Sequence, residues 1–332
     1  MSRSAQAAEL LAVTGGLGVL ERLPAWRGVL VLNYHRIGDP QASSLDRGLF
    51  SATPAQFDAQ MRHLAAHAEV VPLEDVPAVL ETGRGRKVAL TFDDGYRDNH
   101  EHALPVLRRY GLPATFFLAT GFLDRPSLSW WDEAAWLLRH STVSSLPGMP
   151  GVLPETPLGS GAARERAISA VVETYKRLPS TRAELLLSHV REAADAPPYD
   201  GPALWMTWDM ARDLRDAGMG VGGHTVDHPV LANVDDERLV RELDGCAGRL
   251  RDELGIRMST FAYPVGRPES FDQRSVNHLQ RRGVRIACTF DGGHARPGRT
   301  DLLRLPRASV TADMSVPSVR LRTALPQRFA RW

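Results

Sequence analysis

Apolar residues along the chain fall into short dense runs separated by stretches with helical spacing. Gly28 to Tyr34, Lys87 to Phe92, Ala114 to Leu118, Gly218 to Val221, Met258 to Ala262, Val284 to Cys288 and Leu302 to Leu305 read as buried strands. Between the first two, Thr53, Pro54 and Gln56 supply an N-cap hydroxyl, a first-turn proline and a third-position amide, after which Phe57, Met61 and Leu64 recur at helical spacing. Leu239, Leu243, Cys246, Leu250 and Leu254 share one helix face, and Gly255 follows them where a left-handed residue commonly ends a helix. Alternation of strand and helix predicts a parallel sheet with crossover helices, which we read as closed into an α/β barrel.

The alternation fails between Pro126 and Leu204. A tryptophan-rich segment, a Gly/Pro/Ser linker from Ser144 to Gly161 and two helical patterns succeed one another there without a strand, as a helical insertion would. The expected organisation is a helical lead over residues 1–27, a domain over 28–310 with its insertion at 126–204, and a C-terminal tail at 311–332. No internal repeat is visible.

Composition narrows the partners. An apolar fraction of 43% and a charged fraction of 24% over 332 residues are those of a water-soluble globular protein. The net charge of +1, with basic residues scattered, disfavours nucleic acid. Cys246 and Cys288 stand far apart in no ligand spacing and are expected in the core rather than in a disulfide. The apolar stretch Leu10 to Leu20 is broken by Thr14, Gly15, Gly16 and Gly18 and falls short of the ~20 residues of a membrane span. With Arg3 as the one early cation and no small-residue cleavage site, a cytoplasmic or membrane-peripheral protein is expected.

Candidate chemistry sits where strands end. Asp93 and Asp94 follow the strand Lys87 to Phe92, at the edge where α/β enzymes place reactive groups; alone, an Asp-Asp-Gly run reads equally as a turn. His224 and His228 follow Gly222 and Gly223 just past another strand, and imidazoles four residues apart can chelate one cation. Two imidazoles and one carboxylate form the ligand set of a catalytic zinc, and suit Co2+, Ni2+ or Fe2+ as well. A third segment, Phe261 to Gly266, ends the strand Met258 to Ala262.

Taken in order, Thr91 to Gly95, His224 to His228 and Tyr263 to Gly266 resemble the three motifs of the polysaccharide deacetylases with a NodB-type domain, carbohydrate esterase family 4. Asn33, Tyr34, His35 and Leu305, Pro306, Arg307 further resemble the subgroup that deacetylates exopolysaccharides of N-acetylhexosamines. The resemblance implies a distorted (β/α)7 barrel, one divalent metal ion and an N-acetylated glycan substrate, with association with polysaccharide synthesis machinery as a further expectation. It assigns Asp93 as general base, Asp94, His224 and His228 as metal ligands, and the backbone N–H of Tyr263 as oxyanion donor. His35, Trp131, Pro264, His294 and Arg307 are expected around the substrate, with Trp130 and Trp131 offering faces for sugar rings.

Two departures accompany the resemblance. Family members carry an arginine ahead of the third motif to orient the base, and a late histidine to protonate the leaving amine. This chain has Met258, Ser259 and Thr260 before Phe261, and Arg307 where that histidine would be sought. His294 and the protonated Asp93 are left as sources of the proton. Hydrolysis of another amide on the same fold, such as a cyclic ureide, and a noncatalytic carbohydrate-binding role are the alternatives; the long insertion favours an extended ligand.

Overall fold

The computed structural model describes residues 3–22, 26–82 and 87–329; residues 1–2 and 23–25 of the lead, 83–86, and 330–332 of the tail lie outside the described residues. Strands β1 (Val29–Tyr34), β2 (Lys87–Phe92), β3 (Thr115–Leu118), β4 (Gly220–Gly223), β5 (Thr260–Ala262), β6 (Ile286–Cys288) and β7 (Ala308–Ser309) all pair in parallel. The order β6-β5-β4-β3-β2-β1-β7 is joined into a ring where Leu305, just ahead of β7, bridges Cys288 of β6. This is the distorted (β/α) barrel that the motif order implied. A short strand, Glu69–Val70, pairs with β2 outside that ring.

One strand of the sequence reading is corrected. Leu302–Arg304 forms a 3-10 turn, because the Asp301 carboxylate accepts the N–H of Leu303 and caps it. The stave is formed by Ala308 and Ser309, one turn further on. The helix after Thr53, α1 (Pro54–His67), carries the reciprocal capping box that Thr53 and Gln56 predict.

Alternation along the strands decides which side chains face the barrel axis. Leu30, Leu32 and Tyr34 of β1, with Val88, Leu90 and Phe92 of β2, pack outward under the helices. Val29, Val31 and Ala89 point into the barrel with Phe117, Ala262 and Cys288. Both cysteines are buried and unbridged. Asn33 and Thr91 share a register position at the top of this interior, so the carboxyl-end layer is polar and Asp93, two residues on from Thr91, continues it.

The insertion contains α2 (Trp130–His140), α3 (Gly161–Arg177) and α4 (Ser180–Ala193). It also holds a small antiparallel hairpin, Ser145–Leu146 against Thr156–Pro157, inside the stretch read as a strandless linker. Turn-rich flanks hid a two-residue strand that only pairing defines. Leu138, Ile168, Val171, Leu186 and Val190 give the insertion its own apolar centre, sealed to the barrel by Tyr96, Phe122 and Trp205. At the termini, the helix Arg3–Val13 lies against Val316–Ala324, with Ala8, Leu17 and Leu321 buried between them. Among the described residues no helix is long and apolar enough to cross a membrane.

Candidate active site

Asp93 is the last inward-facing residue of the β2 line, and its N–H donates to the Tyr34 carbonyl, extending the ladder by one step. The chain turns immediately afterwards: Asp94 takes φ 76° and Gly95 φ 89°, so two consecutive carboxylates emerge in different directions. Asp93 and Asp94 are 2% and 1% exposed. Such burial is unfavourable for charge unless each carboxylate has partners.

Asp93 finds them in a side chain 214 positions away. Arg307, fully buried at 0% exposure, donates Nη1 to Asp93 Oδ1 and Nη2 to Oδ2, both at 2.7 Å. Its remaining donors reach Thr289 O and Asn33 Oδ1 at 2.9 Å each, and Thr91 Oγ1 at 3.2 Å. Asn33 Nδ2 adds a 3.1 Å bond to Asp93 Oδ2. Burial alone would push the Asp93 carboxyl up; Arg307, helped by His224 and His35, outweighs it and holds the group well below the usual carboxylate range. The arginine missing ahead of the third motif is thus supplied from the last stave. Arg307 was expected around the substrate; its guanidinium is spent on the carboxylate.

Asp94 faces the two histidines. His224 Nε2 and His228 Nε2 lie 3.3 and 3.5 Å from Asp94 Oδ1. His224 Nδ1 donates to the Ala262 carbonyl at 2.7 Å, which fixes the tautomer and leaves Nε2 bare. The segment joining the histidines is held in unusual backbone, Thr225 at φ 67° and His228 at φ 53°. Glu242 supports it by accepting the N–H groups of Val226 and Asp227, each at 2.9 Å. Sequence reasoning missed Glu242, although a signal existed: it occupies a buried position between Leu239 and Leu243 on an otherwise apolar helix face, α5 (Asp236–Leu254).

These groups fit a cation. Asp94 Oδ1 is buried and accepts no hydrogen bond from a described residue, and one ligand atom from each of Asp94, His224 and His228 lies within 4.8 Å of the others. Ligands around one tetrahedral ion with bonds of about 2.1 Å stand about 3.4 Å apart, close to the two spacings observed. Burial pushes the His228 imidazole down to about 3, with His224 adding to the effect. Burial would raise Asp94, but the two histidines draw it down. His224 is raised, Asp94 and Asp93 outweighing its burial. An ionised carboxylate and a neutral His228 suit metal ligation, and a bound ion would take the place of the proton that Asp94 favours on His224.

The site forms the floor of a cavity of about 430 Å3. His35 lines it, with Nε2 3.9 Å from Asp93 Oδ2 and its ring edge-on to Phe290. Trp131 lines it too but is only 4% exposed, its ring against His228 at 4.5 Å and its Nε1 donating to the Tyr96 hydroxyl at 2.8 Å. Trp130 Nε1 donates to the His228 carbonyl at 3.3 Å. The tryptophans therefore brace a histidine more than they offer a free face.

Three expectations are corrected. The N–H of Tyr263 donates to the Cys288 carbonyl at 3.1 Å, continuing the β5–β6 ladder, and is committed there. The next N–H toward the cavity belongs to Val265, since Pro264 has none; Val265 lines the cavity at φ 63°, and its N–H makes no hydrogen bond to a described residue. A β-branched residue in that region is strained. Pro264 itself is buried at the turn and does not line the cavity. His294 lines a second cavity, of about 310 Å3, with Arg296 and Arg299. Its loop leaves the site at Phe290 and runs down to Ala295, which pairs with Val29 at the opposite end of β1, a strand rise of roughly 16 Å away.

The model of the polysaccharide deacetylase family matches residues 81–287. A poly-beta-1,6-N-acetyl-D-glucosamine N-deacetylase of Staphylococcus aureus is 32% identical over 104 residues, covering 28% of this chain and 36% of the relative. The match thus spans little more than a third of that relative's length. Among solved structures, the Streptococcus pyogenes deacetylase PplD in complex with acetate aligns with a TM-score of 0.58 at 19% identity, covering 91% of this chain and 99% of that one. IcaB from Ammonifex degensii aligns at 0.55 and 21% identity, covering 90% and 98%. At these identities the structures speak for the fold.

Proposed function

The chain belongs to the polysaccharide deacetylase family, and from that premise we propose that it hydrolyses the acetamide of N-acetylhexosamine units in a glycan or its precursor. One observation carries the proposal: an ionised carboxylate, Asp93, is gripped by Arg307 beside a separate Asp94–His224–His228 trio on one cavity floor.

A divalent cation held by the trio, zinc by preference with Co2+, Ni2+ or Fe2+ compatible, would polarise the acetamide carbonyl and bring the pKa of water towards 7. Asp93 takes the proton of the attacking water: Oδ2 accepts from Arg307 and Asn33, while Oδ1 accepts from Arg307 alone and keeps a lone pair. The Val265 N–H is the donor for the oxygen on which negative charge develops. His35, the histidine of the cavity outside the trio, passes a proton to the departing amine, a role the sequence had left between His294 and Asp93. Arg307 beside the base and His35 in the cavity stand where the arginine and the late histidine are missing, and support the catalytic reading over the noncatalytic one.

Purified protein is expected to contain about one divalent metal per chain and to release acetate from β-1,6-linked N-acetylglucosamine oligomers until a chelator is added. His224→Ala should lose the metal, measured by elemental analysis; full metal content in that variant would refute the ligand assignment. His35→Ala should lower kcat by about 10²-fold with KM and metal content unchanged. An unaltered kcat would return the leaving-group proton to Asp93.

A further inference from the structure

A ligand imidazole keeps its proton on the nitrogen turned away from the cation, and that N–H is ordinarily taken up by a carbonyl or a carboxylate. His224 follows the rule through the Ala262 carbonyl. His228 does not: its Nδ1 is buried and has no hydrogen-bond partner among the described residues. The backbone of His228 is well held, its N–H donating to Thr225 Oγ1 at 3.0 Å and its carbonyl accepting from Trp130 Nε1 at 3.3 Å. What remains to be fixed is the ring.

Two aromatic rings stand against that imidazole. Trp131 lies with its centroid 4.5 Å away and its plane inclined by 66°, the steep arrangement in which the edge of one ring meets the face of the other. His224 lies at 4.7 Å and 71°, but an imidazole serving the same cation is a poor acceptor. An indole face carries the negative side of the ring quadrupole and takes an N–H as a weak acceptor. The contact strengthens as a coordinated imidazole takes on positive charge.

Resting on Asp94, His224 and His228 as the ligands, we propose that Trp131 is the positioning residue of His228: its indole face receives the Nδ1–H and so leaves Nε2 bare toward Asp94. The indole is itself held from behind. Its Nε1 donates to the Tyr96 hydroxyl at 2.8 Å, and that hydroxyl donates to Asp132 Oδ2 at 2.6 Å. Asp132 also accepts from Ser129 Oγ at 3.0 Å and from the Asp46 N–H at 2.9 Å. Tyr96, Ser129 and Asp132 are fully buried, so the chain cannot swing away without leaving polar groups unpaired in the core. Tyr96 stands two residues beyond Asp94, just past the turn that Asp94 and Gly95 make. One indole therefore ties the ligand histidine to the turn that carries the ligand carboxylate.

The test measures the zinc affinity of the full chain by competition with a chromophoric chelator. Trp131→Leu keeps an apolar side chain but no π face, and should weaken zinc binding by about tenfold or more; Trp131→Phe restores a face and should bind at least about threefold more tightly than the leucine variant. A second readout needs no substitution. In zinc-loaded wild-type protein carrying isotopically labelled histidine, the Nδ1–H proton of His224, bonded to a carbonyl, should resonate downfield, and that of His228, over an indole face, clearly upfield of it. Unchanged zinc affinity in Trp131→Leu, equal losses in the two variants, or a His228 N–H as far downfield as that of His224 would overturn the proposal and leave the ligand assignment standing. Wild-type protein that binds no zinc, or undiminished affinity in His224→Ala, would overturn the ligand assignment, and the proposal with it.

Discussion

Asp93→Asn is expected to lower kcat by about 10²–10⁴-fold while metal content stays at the wild-type level. The amide keeps the shape of the carboxylate but cannot accept the proton of the attacking water. The proposed metal ligands Asp94, His224 and His228 are untouched, and His224 keeps its bond to the Ala262 carbonyl. Turnover assays and elemental analysis on one preparation give the answer, and undiminished turnover would remove Asp93 from the role of base. The pH profile supplies a second check. A carboxyl held below its ordinary value contributes stability that is present above the unfolded value near 3.9 and is lost as pH falls through the folded one. Asp93 therefore stays ionised through the neutral range, and an acid limb of kcat/KM between about pH 5 and 8 belongs to another group.

Arg307→Met should produce the largest loss of stability, about 3–5 kcal/mol, because it strands the buried Asp93 charge. The guanidinium carries both 2.7 Å bonds to the carboxylate and also joins Asn33, Thr91 and the Thr289 carbonyl, so its removal unsatisfies several buried acceptors at once. Burial, then opposed only by His224 and His35, should push the Asp93 carboxyl up and add to the kcat/KM profile an acid limb of its own, beside that of the other group. A residue that merely fills space would add no such limb. Denaturant titration of a double-mutant cycle with Asp93→Asn completes the test: the pair should cost clearly less than the sum of the single changes, and strict additivity would contradict the ion-pair account.

Much of the frame was legible along the chain. The Thr53–Gln56 capping box, Gly255 at a helix end and the strand Lys87–Phe92 depend on contacts between near neighbours, and local patterns report such contacts directly. Leu302 to Leu305 failed as a strand because its apolar composition suits either conformation, and the capping carboxylate of Asp301 with Pro306 behind it decided for a turn. The paired hairpin in the insertion was invisible for a similar reason: two residues carry no period.

The site divides along the same line. The sequence by itself determined which residues gather as the proposed metal trio and its neighbouring base, since Asp93 and Asp94 are adjacent and His224 and His228 stand four apart, and a strand end turns such spacings into shared space. Only the tertiary structure decided who serves them. Closing the barrel between β6 and β7 carried Arg307 to Asp93, the β5–β6 ladder claimed the Tyr263 N–H, and the descent of the 290–295 loop took His294 to the far end of β1. Each outcome depends on strand register and ring closure over long separations, where a shift of one residue would turn every side chain to the other face.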